Sequence, residues 1–191
     1  MKKILFSARC LLAASIIFFT SCSKNTTTSN PGGGTGNTTN LAIGKSSIGL
    51  TTSATFGGVM NFSLNNTTGT SAVSVVNGAT RTINVFAKEE INNKFRKVEI
   101  DIEVPSGTST SGGNITIPLM LNSTAPMNAK LSMYNGTDIN TENSYFAESG
   151  TVTITKLSSS EIIGTFSAVV KNVIDNSTIT ITNGSFSGRF N

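Results

Sequence analysis

Between residues 97 and 104, within a strand expected over 94–104, the chain alternates strictly. Val98, Ile100, Ile102 and Val104 share one parity, while Lys97, Glu99, Asp101 and Glu103 take the other. A period of two puts successive side chains on opposite faces of a strand, whereas a helix would spread these positions around its circumference. The stretch is therefore a β-strand with one face on a core and one face in water. The same alternation of β-branched residues, broken by Asn-Gly and Gly/Ser clusters, recurs through residues 41–191, and nothing there has sustained helical periodicity. The expected fold class is all-β: one antiparallel β-sandwich or partly open barrel of about 8–10 strands. Its length of about 150 residues suits a single domain that buries roughly two thirds of its unfolded surface.

The strands can be placed coarsely. Residues 58–64 and 71–76 flank a turn at 65–69, and Asn77-Gly78 leads at once into residues 79–88. Asn-Gly between two such runs favours a tight hairpin, because both residues tolerate positive φ. After residues 94–104, Pro105 and residues 106–113 read as a loop. Residues 114–121, 130–134 and 144–146 are shorter strands, with a turn at Asn135-Gly136. Residues 151–156, 162–171 and 178–182 follow, with Ile162, Phe166, Ala168 and Val170 on one face and Ile179 and Ile181 inward. Asn183-Gly184 fits a bulge as well as a hairpin, and Phe186 and Phe190 close the sheet.

The chain begins with a different kind of segment. Met1-Lys2-Lys3, an apolar run over residues 10–19 and small residues before Cys22 are the parts of a secretory signal peptide at 1–21. The run is about half the length a membrane-spanning helix needs. Phe19-Thr20-Ser21-Cys22 resembles a bacterial lipobox, which implies cleavage before Cys22 and acylation of that cysteine. Ordinary secretion, with cleavage near Ser21, is the competing reading. Residues 22–40 follow as the lipidated cysteine and a tether of Thr, Asn, Gly and Ser, too polar to bury anything and expected to be disordered. It spans about 25 Å root-mean-square. Ser23 is not the Asp of an inner-membrane retention signal, and an acidic surface-export run is missing. The expected address is the outer membrane, lipid-anchored, with the periplasmic leaflet favoured over the cell surface.

Removing the signal peptide changes the charge. The chain holds 14 Lys and Arg against 10 Asp and Glu. Lys2, Lys3 and Arg9 leave with the signal, so the mature protein is nearly neutral. No basic cluster remains for nucleic acid. Cys10 also leaves and Cys22 carries the lipid, so no disulfide forms within the mature chain.

The chain has no histidine and no tryptophan. Ser-His and Cys-His nucleophilic schemes are thereby excluded, zinc loses its usual ligands, and no Asp-rich loop suits calcium. No cofactor or metal is expected. Glycoside hydrolysis needs a pair of carboxylates with one pKa raised by burial. The candidates Glu89/Glu90 read as lying on a turn, and Glu99/Asp101/Glu103 on the wet face of a strand. A sugar-binding face needs exposed aromatics, and Tyr134, Tyr145, Phe86 and Phe95 are the candidates, each read first as core. Asn65, Asn114 and Asn122 open Asn-x-Ser/Thr triplets, read here as loop and strand polarity.

Residues 150–156, 164–167 and 179–186 (GTVTITK, GTFS, ITITNGSF) resemble the end of a family of uncharacterised Bacteroidetes lipoproteins that couple a lipobox to one β-rich domain. The resemblance implies a fold and an address, and no activity. The expectation is a non-enzymatic envelope module, held to the membrane through Cys22, with an envelope protein or glycan as partner. The alternatives are a carrier with an apolar cavity lined by Phe62, Phe166 and Phe186, or a carboxylate-dependent glycan hydrolase.

Overall fold

A computed structural model describes residues 40–53, 59–62, 69–91, 94–136 and 144–191. The expected signal peptide, Cys22, the expected tether up to residue 39 and residues 65–68 of the expected turn lie outside the described residues.

Among the described residues ten strands follow in chain order: β1 (Ser46–Thr52), β2 (Val59–Phe62), β3 (Thr70–Asn77), β4 (Thr80–Ile91), β5 (Lys94–Pro105), β6 (Ile115–Pro118), β7 (Asn128–Gly136), β8 (Ser144–Leu157), β9 (Glu161–Asn172) and β10 (Thr178–Arg189). They form one sheet in the order β2-β1-β10-β9-β8-β7-β5-β4-β3, with β6 added on β8. Every strand pairing is antiparallel, and the sheet curls into a half-barrel. The all-β expectation holds.

The curl brings the two ends of the sheet together around the core. Ala72 N–H on β3 donates to the Gly44 carbonyl just before β1 at 3.1 Å. The buried Ser46 hydroxyl on β1 donates to the Phe86 carbonyl on β4 at 2.5 Å. A Cβ on Gly188 of β10 would fall 2.6 Å from the Ala72 Cβ, so two small residues set how closely β10 approaches β3. Inside the curl lie Val98, Ile100, Ile102 and Val104, as their alternation requires, with Ile83, Val85, Leu131, Ile154, Phe166 and Phe186.

Several boundaries differ from the sequence reading, mostly because bulges exchange the two faces of a strand. Residues 144–146 and 151–156 belong to one strand, β8. Register shifts between Ala147 and Ser149 and between Ile154 and Lys156 move the inward set from Tyr145 and Ala147 to Val152 and Ile154, then to Leu157. Asn183-Gly184 is a bulge within β10 rather than a hairpin. Asn183 sits at φ 51°, and the inward set passes from Ile179 and Ile181 to Phe186. Asn135-Gly136 is not a turn, since both residues still pair with β5, opposite Arg96 and Phe95. β1 was not anticipated: only Ile48 and Leu50 are apolar on its inward side, and Ser46 and Thr52 are buried beside them. β6 is shorter than residues 114–121, and Leu119 beyond it makes a single parallel bridge to Ala129.

Candidate functional site

The outer face of the sheet carries two polar-aromatic rungs that run across four strands. The first is Phe86 (β4), Glu99 (β5), Ser132 (β7) and Phe146 (β8), each directly opposite the next. The second is Lys88, Lys97, Tyr134 and Ser144 in the same strands. Phe95, opposite Gly136, stands beside the second rung. All share the parity opposite to Val98 and Ile100, so strand alternation alone places them outside the core.

Charge and ring contacts hold this surface in shape. The Lys88 ammonium lies 4.1 Å from the centre of the Phe95 ring, and Lys97 lies 5.2 Å from that of Phe86. Lys97 also pairs with Glu99 at 2.7 Å. Asn84 donates to Glu99 and to Asp101, both at 2.7 Å, and Asn128 donates to Glu103 at 2.9 Å. Burial pushes the Glu99 carboxyl up, but hydrogen bonds from Lys97 and Asn84 and the Lys97 charge outweigh it and hold the pKa below the usual range.

A hollow of about 270 Å³ opens between these side chains, lined by Lys88, Phe95, Lys97, Tyr134 and Phe146 among others. Tyr134 is only 5% exposed, and its hydroxyl meets no hydrogen-bond partner among the described residues. Beyond Phe146 a second hollow of about 450 Å³ continues past Met120, Leu121, Lys171, Val173 and Asn176. Phe146 borders both hollows, which carry aromatic, hydroxyl, amide and charged side chains along the outer-face groove and beyond it.

The residues singled out from the sequence fall in three places. Phe86 and Phe95 are half-buried on the outer face, which corrects their reading as core, whereas Tyr134 is buried, as read, although its parity points to the same face. Tyr145 packs against the core as expected. Glu89 and Glu90 are within β4, not on a turn. Glu89 is buried on the inward parity and ion-paired with Arg96 across the strand pair, while Glu90 is exposed. The solvated charged face therefore omits Glu89 and Arg96. Glu99, Asp101 and Glu103 take the outer side, as their alternation requires. Phe166 and Phe186 are buried with ring centres 6.3 Å apart; the Phe62 side chain lies outside the described residues. Among the described residues no group of three His, Cys, Asp or Glu could hold a metal ion.

Sequence reading missed Phe146 and the two hollows that it borders. The available clue was parity: on β8 Phe146 alternates against the inward Tyr145 and Ala147. No protein-family model, no curated protein and no solved structure matches the chain.

Proposed function

We propose that this chain is a lipid-anchored envelope protein whose β-domain binds a glycan strand in the outer-face groove and catalyses no reaction on it. The observation that carries the reading is the hollow on the outer face, walled by Phe95, Tyr134 and Phe146 and edged by Lys88, Lys97, Glu99 and Ser132. Binding sites of this kind combine apolar and aromatic walls with a few placed polar groups. Phe95 and Phe146 offer surfaces for the C–H face of a sugar ring, and Lys88, Lys97, Glu99 and Ser132 offer donors and acceptors for its edge. The second hollow, which Phe146 also borders, gives a strand of sugars a place to continue.

Two further observations support binding without chemistry. A glycosidase acid needs a raised pKa, and Glu99 is shifted the other way. Phe166 and Phe186 pack on each other inside the curl, where a carrier would place its cargo. Anchoring through an acylated Cys22 at the outer membrane, in the manner of the Bacteroidetes lipoproteins that the sequence resembles, would hold the groove among envelope polymers. Retention of the protein on envelope glycans, and its loss in Phe146→Ala, tests the reading.

A further inference from the structure

A second site lies at the end of the half-barrel where the described chain begins. Arg81, at the start of β4, is only 6% exposed and lies on the inward parity. Its Nε donates to the Ser74 hydroxyl and its Nη2 to the Ser158 carbonyl, both at 2.7 Å, and its guanidinium lies 5.2 Å from the centre of the Phe190 ring. Those contacts fix the plane of the fork. Among the described residues no carboxylate pairs with it, and Glu161, which follows the Ser158–Ser160 turn, is engaged by Lys156 at 2.6 Å. A buried cation without a counter-charge is costly to hold. Burial lowers the Arg81 pKa, although a guanidinium remains protonated.

Arg81 faces a hollow of about 370 Å³ ringed by two serine-rich segments, with Ser106, Thr108 and Ser109 on one side and Ser158 and Ser159 on the other. Its Nη1 makes no hydrogen bond among the described residues. The Ser109 hydroxyl bonds Ser111, and the Ser158 hydroxyl accepts from the Ser160 and Glu161 N–H groups. That leaves the buried guanidinium and the Ser106, Thr108 and Ser159 hydroxyls to meet an oxyanion in this hollow, which Asn191 also borders. The tether joins the domain at the same end: Arg189 donates to the Leu41 carbonyl at 3.0 Å, and Phe190 N–H to the Ser160 carbonyl at 2.8 Å.

We propose that this hollow binds a phosphate group, free or carried on a lipid headgroup, with Arg81 as its cation and the flanking serine and threonine hydroxyls as donors. The site is separate from the outer-face groove and stands without the glycan reading.

The test is thermal unfolding of the full chain in detergent, followed by circular dichroism. Orthophosphate or glycerophosphoglycerol, the deacylated headgroup of a phospholipid, is titrated against sodium chloride at matched ionic strength. The expected result is a saturable rise of roughly 5 °C when the ligand reaches a hundred times its dissociation constant. A rise with orthophosphate alone assigns the site to free phosphate, and an equal or larger rise with the diester assigns it to a headgroup. Arg81→Met removes the charge at similar volume, a change that buried ionic sites commonly tolerate, and should abolish the rise. The wild-type titration decides even if that variant does not fold. No rise beyond chloride with either ligand, or an undiminished rise in Arg81→Met, overturns the proposal.

Discussion

The ring of Phe186 lies over Gly164, its direct partner across β9 and β10, and on the next inward rung Phe166 lies over Gly184. Glycine weakens a strand because it has nothing to pack, and an aromatic ring from the neighbouring strand fills the gap. A Cβ on Gly164 would fall 2.5 Å from the Phe186 Cζ and 2.6 Å from the Thr153 carbonyl oxygen. The ring could shift, but the backbone oxygen cannot do so cheaply. Gly164→Ala should therefore destabilise the domain by about 1–3 kcal/mol, lowering the melting temperature by roughly 5 °C in a circular dichroism melt.

Asn183 holds the β10 bulge at φ 51°. A left-handed conformation costs an ordinary L-residue about 1–2 kcal/mol, with Asn and Gly the tolerated exceptions. Asn183→Gly should leave the melting temperature within about 2 °C of wild type, while Asn183→Val should lower it by several degrees. Equal melting of the two variants would show that the bulge does not depend on this residue.

Glu99 gives the fold a defined acid sensitivity. Its pKa is depressed in the folded state, so the stability it contributes is present above the ordinary glutamate value of about 4.3 and is lost as pH falls through the folded value. Chemical denaturation of wild type and Glu99→Gln should differ by a constant amount above about pH 5. The difference should shrink as the solution is acidified below that.

Much of the fold was legible where parity was unbroken. β5 was readable in full because Val98, Ile100, Ile102 and Val104 never leave one face, and β9 likewise. β8 was not, because its bulges exchange the inward and outward sets within 14 residues, and local alternation carries no memory across an inserted residue. β1 hid because two of its inward residues are Ser46 and Thr52, whose burial depends on strands far away in sequence. The groove was half visible. Phe86, Phe95 and Tyr134 were recognised as aromatics, but their shared face depends on the register of β4, β5 and β7. The partner of Phe146 across the sheet comes from the same register. The Arg81 hollow was out of reach, since it joins residues 74, 81, 106–109 and 158–159 through the closure of the curl.

The proposed anchor has an independent test. Labelled palmitate fed to cells should enter the wild-type protein and not Cys22→Ser, because several acyl chains on that cysteine are what give a stable membrane hold. Equal labelling of the two would remove the lipoprotein reading and leave the β-domain as a freely secreted module.

The central claim concerns the outer-face groove, and binding of the full-length protein to fractionated envelope glycans, including sedimentable peptidoglycan, addresses it most directly. The account predicts saturable binding to one glycan class, weakened about tenfold or more in Phe146→Ala, which corresponds to about 1.4 kcal/mol. Tyr134→Phe should melt at the same temperature as wild type or higher, because it removes a buried hydroxyl that has no partner among the described residues. Absence of binding to every fraction, or binding that Phe146→Ala leaves unchanged, would contradict the central claim.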